Sequence, residues 1–197
     1  MILTVAGFKG GVGKTTTAIH LAAFLHELAP TVLVDGDANS SASAWIERGS
    51  LPFPAVGPGQ MARVARQYEH IVIDTAARPA EDELKDLAEG CDLLVLPTTP
   101  DALSLQVLML TVSELHRIKA DRFKVLLTAI PPRPSRDGDE ARAMLIEEGL
   151  PVFASGIRRL ASFQKAALTG KLVRDVDDPR AAWGWEDYQA VGREIVK

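Results

Sequence analysis

The most informative part of this sequence is Gly7-Phe8-Lys9-Gly10-Gly11-Val12-Gly13-Lys14-Thr15-Thr16, which follows an apolar run at Ile2–Ala6 and opens a segment of helical period at Lys14–Leu28. A glycine-rich turn between a strand and a helix lets backbone N–H groups converge on phosphate oxygens, and the helix dipole adds a favourable potential there. Lys14 is placed to reach the β- and γ-phosphates of a nucleotide, and the Thr15 hydroxyl is placed to ligate Mg²⁺. The stretch therefore predicts a nucleotide-phosphate site.

The loop departs from its commonest form in one informative way. That form has a glycine six positions before the lysine, whereas here Phe8 stands at that place and a second lysine, Lys9, lies five residues before Lys14. Six fixed positions of this kind are expected by chance in about 10⁻⁵ of chains of this length. We therefore interpret Lys9-Gly-Gly-x-Gly-Lys-Thr as a functional loop, not an incidental turn.

Around this loop, apolar β-branched runs alternate with segments of helical period. Continuous apolar character is typical of strands that are buried on both faces. The predicted strands are Ile2–Ala6, Thr31–Val34, His70–Ile73, Leu93–Leu96, Lys124–Ile130 and, with a weaker pattern, Pro151–Ala154. The predicted helices are Lys14–Leu28, Ser41–Arg48, Ala80–Glu89, Ala102–Ile118, Asp139–Glu148, Leu160–Leu168 and Arg180–Val196, with loops at Gly49–Gly59 and Pro131–Gly138. The alternation predicts an α/β fold, a mostly parallel β-sheet flanked by helices on both faces.

Length and composition are those of one globular domain, which we expect to span residues 1–197. Apolar residues make up 47% of the chain, and 22 Lys and Arg against 26 Asp and Glu give a formal net charge of −4. This balance excludes a globally basic nucleic-acid-binding protein but leaves room for a local basic face. The chain has no run of about 18 apolar residues and opens without a basic leader, so we expect a cytoplasmic protein with neither membrane span nor signal peptide.

Three aspartates stand at or just after the ends of predicted strands. In an open α/β sheet ligands bind outside the carboxyl ends of the strands, so Asp35, Asp37 and Asp74 should face one crevice. A nucleotide with Mg²⁺ needs carboxylates near the metal, usually through water. We expect Asp74 to orient metal-bound water, Asp37 to position the attacking water, and Asp35 to hold the following segment or the water shell. The alternative is that these aspartates cap the helices that follow.

The sequence resembles the ParA/MinD family of ATPases at several motifs. Lys9–Thr16 resembles the deviant Walker A motif of that family. Three later stretches are similar to its Asp-x-Asp-Pro-Gln switch segment, its Walker B motif and its next strand end, namely Thr31-Val-Leu-Val-Asp35-Gly-Asp37-Ala-Asn39-Ser-Ser, Ile71-Val-Ile-Asp74-Thr75-Ala-Ala and Leu93-Leu-Val-Leu-Pro97-Thr98. The departures from the family pattern are Phe8, Ala38 and Asn39.

The resemblance implies a P-loop NTPase that hydrolyses ATP with Mg²⁺, and it assigns residue roles. The nucleotide would lie on Lys9, Gly10, Gly11, Val12, Gly13, Lys14, Thr15 and Thr16. The residues implied in catalysis are Lys9, Lys14 and Asp37, and those implied at the metal are Thr15, Asp35 and Asp74. Lys9 would reach across a two-fold interface to the other subunit's phosphates, as an arginine finger does, so that ATP holds together a sandwich homodimer. The base would lie near the loop from Thr128 to Arg133.

A local run of basic residues offers a surface for DNA. Between Pro151 and Arg174 there is no acidic residue, and the basic ones are Arg158, Arg159, Lys165, Lys171 and Arg174. Such a run can neutralise backbone phosphates without reading sequence, and a dimer doubles it; the alternative is a solvated helix face. The resemblance to partition ATPases favours nonspecific DNA binding and a nucleoid-associated location. No helix-turn-helix precedes the loop, so we do not expect operator recognition.

The function implied is that of a ParA-type ATPase that positions a plasmid, a chromosome or a protein organelle, with a ParB-like or other adaptor that stimulates hydrolysis. One alternative is a metabolic ATP-dependent synthetase on the same fold. Another is a MinD-like membrane-associated ATPase, but the last predicted helix carries Glu186, Asp187 and Glu194 on its polar face. We therefore expect that helix to pack on the domain and no membrane partner.

The number of cysteines excludes some functions that are found in the same superfamily. Cys91 is the single cysteine, which excludes a disulfide framework. Iron–sulfur carriers and nitrogenase-type reductases of the same superfamily need paired cysteines, so both are excluded. We expect Cys91 to be a small buried apolar residue.

Overall fold

The strands of the computed structural model are β1 (Ile2–Val5), β2 (Thr31–Gly36), β3 (Ala55–Val56), β4 (His70–Thr75), β5 (Leu93–Thr98) and β6 (Phe123–Leu127). The helices are α1 (Lys14–His26), α2 (Ser41–Arg48), α3 (Met61–Val64), α4 (Glu81–Glu89), α5 (Ala102–Arg117), α6 (Asp137–Glu147), α7 (Ala161–Thr169) and α8 (Ala181–Ile195). The structure describes residues 1–37, 41–77 and 81–197, without the side chains of Ser41 and Glu81. Ala38 and Asn39 of the switch segment, and Ala80 of a predicted helix, lie outside the described residues.

Within these ranges the strands form one six-stranded parallel sheet in the order β3-β2-β4-β1-β5-β6. β1 lies between β4 and β5, with Val5 opposite both Asp74 and Val95. The chain proceeds from β1 to one side of the sheet and later returns to the other side. The carboxyl end of β1 is therefore a topological switch point, the place where ligands bind in open α/β sheets.

Apolar clusters cover both faces of the sheet. One cluster packs α1, α2, α7 and α8 against the strands, and a second packs α4, α5 and α6 against the opposite face. β5 contributes to both, since Val95 belongs to the first cluster and Leu94 and Leu96 belong to the second. A strand covered on both sides needs apolar residues at consecutive positions, which explains the continuous runs in the sequence. The predicted α/β fold is confirmed.

Two details of the predicted strand set are wrong. Pro151–Ala154 does not form a strand, because it makes only the isolated bridge between Val125 and Val152. The N–H groups of Ala154 and Ser155 donate instead to the Glu194 carboxylate, at 2.9 and 2.8 Å. Conversely, β3 lies within a stretch predicted as loop, since a two-residue edge strand is too short to show any periodicity.

The last helix packs on the domain, as predicted, with α1 as one of its main neighbours. Trp185, Tyr188 and Val191 of α8 are at most 8% exposed. Gly192 lies against Phe24 of α1 so closely that a Cβ added there would lie 2.3 Å from the ring. No helix in the described ranges is both long and apolar enough to cross a membrane. Cys91 is buried, which confirms the prediction made for it.

Candidate nucleotide site

The loop between β1 and α1 has the backbone conformation that a phosphate cradle needs. Gly11 and Gly13 have φ values of 78° and 87°, in the left-handed region that other residues rarely adopt. Gly13 is the N-cap residue of α1 and makes no side-chain capping bond. The first N–H groups of this 13-residue helix are therefore not satisfied by a side-chain cap at Gly13, and such groups bind anions well.

Thr128 fixes this loop to the ends of neighbouring strands. Its hydroxyl lies 2.8 Å from the Val12 carbonyl and 3.2 Å from the Thr98 carbonyl, and it is buried. One hydroxyl thereby joins the loop to β5 and to the residue after β6. The cradle is held from outside its own sequence, which preorganises it for a ligand.

Lys14 lies inside the site and is bonded to the loop itself. Its side chain is buried, and its Nζ donates to the Lys9 carbonyl at 3.1 Å. Burial lowers the pKa of Lys14, whereas the carboxylates of Asp74 and Asp37 raise it. A buried ammonium held by one carbonyl gains from a nearby anion, so the phosphates of a nucleotide are a better partner for it.

Asp74 is the group that best fits a metal-dependent site. It is fully buried at the end of β4, and neither carboxylate oxygen has a hydrogen bond of regular geometry within the described residues. Burial raises the pKa of Asp74 to about 7, although the Thr15 hydroxyl and the Lys14 ammonium lower it. A hard divalent cation with bound water would satisfy these oxygens and favour the ionised form. The Asp74 and Thr15 oxygens thus fit Mg²⁺.

Asp35 lies opposite Asp74 in the sheet, but both of its carboxylate oxygens already accept hydrogen bonds from backbone N–H groups. Its Oδ2 accepts a bond from the Ser43 N–H at 2.7 Å, and its Oδ1 accepts one from the Asp37 N–H at 3.3 Å. Asp35 therefore caps the first turn of α2 and holds the start of the switch segment. This is the capping alternative that the sequence left open, and ligation of Mg²⁺ by Asp35 stays a prediction.

The loop separates two clefts. The first is about 860 Å³ and is lined by Gly10, Gly11, Gly13, Lys14, Thr15, Thr16, Asp37, Ala44, Trp45, Arg48, Ala76 and Ala77. The second is about 490 Å³ and is lined by Gly11, Val12, Gly13, Thr16, Thr128, Ala129, Ile157, Arg158, Arg159, Leu160, Phe163, Gln164 and Tyr188. Phosphates on the loop would thus have Lys14, Thr15 and Asp37 on one side and a cleft with room for a nucleoside on the other.

Sequence reasoning found only part of the second cleft. Of the predicted base loop from Thr128 to Arg133, Thr128 and Ala129 line it, and most of the rest comes from residues 157–164. Three backbone hydrogen bonds bring that segment beside the loop: Ile130 N–H donates to the Ile157 carbonyl, Arg159 N–H to the Ile130 carbonyl and Ile157 N–H to the Leu127 carbonyl. So short a pairing leaves no periodic pattern in the sequence, so no signal marked these residues as neighbours of the loop.

Comparisons with known proteins agree with this geometry. The family model described as the CobQ/CobB/MinD/ParA nucleotide binding domain matches residues 3–173. The chain belongs to this family. It is 35% identical over 201 residues to the maintenance of carboxysome distribution protein A of Gloeobacter kilaueensis, covering 98% of this chain and 93% of that protein.

Solved structures share the fold of this CobQ/CobB/MinD/ParA family member. Apo McdA from Cyanthece superposes with a TM-score of 0.76 at 18% identity, covering 96% of this chain and 98% of that one. A putative plasmid partition protein from Borrelia burgdorferi B31, bound to AMPPNP, superposes with a TM-score of 0.76 at 16% identity, covering 99% and 98%. At these identities the likeness shows the fold alone.

In this family member the side chain of Lys9, the other lysine of the loop, lies against the start of α5 and not beside the Lys14 ammonium. Lys9 Nζ lies 2.6 Å from the Ser104 hydroxyl and 3.3 Å from Asp101 Oδ1, at the start of α5. Its backbone carbonyl meanwhile accepts the bond from Lys14. The two lysines of the loop therefore occupy different places, one in the phosphate site and one against a neighbouring helix.

A buried aromatic cluster joins α1 to the C-terminal elements of the family fold. His20 stacks on Tyr188 at 4.8 Å between ring centroids and contacts Trp45 and Phe163 edge-on. Its Nε2 accepts a bond from the Val173 N–H, which leaves Nδ1 as the donor to the Thr16 carbonyl. Burial lowers the pKa of His20 to about 4, so this ring is a neutral packing element at neutral pH.

Acidic side chains from other parts of the fold neutralise three of the five basic residues in the predicted DNA-binding segment. Arg158 forms an ion pair with Asp187, Lys165 with Asp178, and Arg174 with Glu27. The acidic partners all lie outside the run from Pro151 to Arg174, so counting charges along the chain missed them. Arg159 and Lys171 are exposed and have no side-chain ion pair among the described residues.

Proposed function

We propose that the chain is a Mg²⁺-dependent ATPase of the ParA type that positions a cargo. ATP joins two copies in a sandwich dimer, the dimer binds DNA without sequence preference, and an adaptor on the cargo stimulates hydrolysis. The observation that carries the proposal is that the two lysines of the loop have different partners: Lys14 Nζ donates to the Lys9 carbonyl within the loop, whereas Lys9 Nζ donates to Ser104 at the start of α5. An ammonium beside the loop but outside its own site is suited to act on a second subunit.

The cargo is proposed from the similarity of the whole chain to a carboxysome-distribution protein at 35% identity. We propose a protein organelle as the cargo, with plasmids and chromosomes as alternatives, and a nucleoid-associated location in the cytoplasm. The adaptor is a ParB-like or other partner protein. AMPPNP in the plasmid partition protein of the same fold supports ATP as the nucleotide.

Each residue of the site then has a task in hydrolysis. Lys14 leaves the Lys9 carbonyl and binds the β- and γ-phosphates, while Asp74 and the Thr15 hydroxyl would hold a hydrated Mg²⁺. Bound Mg²⁺ supplies neutralisation of the phosphate charge. Asp37 orients the water that attacks the γ-phosphorus, the bond to the β-phosphate oxygen breaks, and ADP and phosphate leave. Lys9 of the second copy stabilises the charge on the transferred group.

Helix α2 offers a route from the nucleotide to the DNA segment. Asp35 caps this helix at its start. Further along the helix, Trp45 Nε1 donates to the Lys171 carbonyl at 3.1 Å. Arg48 Nε donates to the Ala167 carbonyl at 3.0 Å. A movement of the switch segment on ATP binding would therefore be transmitted to the residues around Lys171.

Replacement of Lys9 by alanine is expected to leave ATP binding to the monomer intact and to weaken the ATP dimer by about 10²-fold or more. Each dimer loses two charge-assisted contacts, each worth about 1.5–3 kcal/mol. Sedimentation velocity with Mg²⁺ and a non-hydrolysable ATP analogue measures this, with Lys85→Ala as the control, since Lys85 is an exposed lysine of α4. A Lys9→Ala dimer as stable as that of the control would refute action in trans.

Charge reversal at Lys171 is expected to weaken binding of the ATP dimer to duplex DNA of any sequence. Each phosphate contact contributes about 0.9 to the log–log slope of affinity against salt, so a dimer should lose about 1.8. The test is a salt titration of Lys171→Glu, with Arg66→Glu as the control of equal charge change at an exposed arginine before β4. Arg158 is unsuitable because its reversal would put two carboxylates together at Asp187. Equal slopes for the two variants would remove Lys171 from the DNA surface.

A further inference from the structure

The contact that holds Lys9 is a built helix cap, not a chance meeting of surface charges. Asp101 is the N-cap residue of α5 and accepts a bond from the Ser104 N–H at 3.0 Å. The Ser104 hydroxyl donates to Asp101 Oδ2 at 2.6 Å, and the Thr99 hydroxyl also bonds to this carboxylate. Ser104 is 1% exposed, so the tip of Lys9 reaches into the buried part of the cap.

The electrostatics of the cap suit a cation. Hydrogen bonds from Ser104 and Thr99 hold the pKa of Asp101 well below its usual range, and the bond from Lys9 adds to them. Asp101 is therefore ionised at neutral pH and presents a fixed negative charge to the ammonium. The Lys9 side chain is 33% exposed in this position, which makes the contact moderate in strength and reversible.

Lys9 is also held through its backbone. Its carbonyl accepts the bond from Lys14, which is the lysine that ATP would draw onto its phosphates. Binding of ATP in one subunit would thus release the backbone of Lys9, whereas the bonds of its side chain to Asp101 and Ser104 would remain. A second event is needed before Lys9 can move.

We propose that Asp101 and Ser104 hold Lys9 within its own subunit and that this contact competes with the reach of Lys9 to a partner subunit's nucleotide. The inference rests on the proposed function, in which Lys9 acts in trans. The bonds to Ser104 and Asp101 use two of the three N–H donors of the Lys9 ammonium, so at most one is left for a phosphate of another subunit while this contact holds. Dimerisation breaks the contact in both copies. Asp101 is therefore a positioning residue, and its contact with Lys9 raises the dissociation constant of the ATP dimer once for each copy.

The variant that tests this is Asp101→Asn, because asparagine caps a helix as well as aspartate does but carries no charge. An exposed ion pair corresponds to about a 2- to 5-fold change in an equilibrium constant. With two such contacts per dimer, the dimer dissociation constant with an ATP analogue should fall by about 4- to 25-fold. The melting temperature and the affinity of the monomer for ADP should match those of the parent.

The matched control is Asp121→Asn, which removes the same charge from an exposed position beyond the other end of α5. A second readout is acetylation of Lys9 in the nucleotide-free protein, measured by mass spectrometry, which should be faster in Asp101→Asn than in the control. A change in the stability of α5 alone would not raise the acetylation rate of Lys9 in particular. If Asp101→Asn dimerises no more tightly than the control, or if Lys9 reacts at an unchanged rate, the inference is refuted. A parent chain that stays monomeric with the ATP analogue refutes the proposed function itself.

Discussion

Replacement of Lys14 by alanine is expected to weaken ATP binding by about 10²–10³-fold. Lys14 is buried, and within the site it meets one carbonyl and the fields of Asp74 and Asp37. Removal of one partner from a buried, hydrogen-bonded charge pair typically costs about 2–5 kcal/mol, which covers this range of affinity. The expected loss is therefore in binding itself, before any step of hydrolysis.

Calorimetric titration of the variant with an ATP analogue and Mg²⁺ measures this loss. Lys85→Ala is again the control, since it removes an exposed lysine from α4, outside both clefts. Its affinity should equal that of the parent. Nucleotide affinity in Lys14→Ala within twofold of the control would mean that the loop between β1 and α1 does not bind phosphates.

Replacement of Asp37 by alanine is expected to leave ATP binding intact and to slow hydrolysis by about 10²–10⁴-fold. That is the range that a positioned acid–base group contributes to a reaction. Asp37 lines the same cleft as Lys14 and Thr15, on the side of the loop away from the proposed nucleoside cleft. The variant should therefore accumulate as an ATP dimer that does not turn over.

Phosphate release and sedimentation, measured on the same sample, separate the two effects. The exposed carboxylate Asp121, changed to alanine, is the control for loss of one negative charge. If Asp37→Ala hydrolyses ATP at the rate of the control, another residue positions the attacking water. If the variant also fails to bind ATP, Asp37 holds the site together instead of acting in the reaction.

The sequence predicted those parts of the fold that local pattern determines. The loop before Lys14 and Thr15 could be predicted because the glycine spacing dictates its backbone, and their roles at phosphate and metal stay predictions. Asp74 could be placed because a buried strand must end at the ligand edge of a parallel sheet. The role of Asp35 stayed open, since capping and metal ligation both require a carboxylate at that place. The bonds that Asp35 accepts from Ser43 and Asp37 show that it caps α2, and a role at the metal stays a prediction.

Features made by contacts between distant segments could not be predicted. The wall of the second cleft at residues 157–164 is held by a few backbone hydrogen bonds, such as those of Ile130 with Ile157 and Arg159. Three of the five basic residues in the run form ion pairs with acidic residues on other elements, as Arg158 does with Asp187. A charge pattern reports which residues are basic, but only the fold decides which of them keep an unmatched charge. DNA binding by this segment, the site assignments and a single domain over residues 1–197 stay predictions.

We propose above all that ATP converts this chain from a monomer into a dimer that binds DNA. Sedimentation velocity of the unaltered chain with a labelled duplex of arbitrary sequence tests it most directly, in Mg²⁺ with either a non-hydrolysable ATP analogue or ADP. We predict that with the analogue the protein sediments as a dimer and carries the duplex, whereas with ADP it sediments as a monomer and leaves the duplex free. The same sedimentation coefficient with both nucleotides, or equal binding of the duplex in both, would contradict the account.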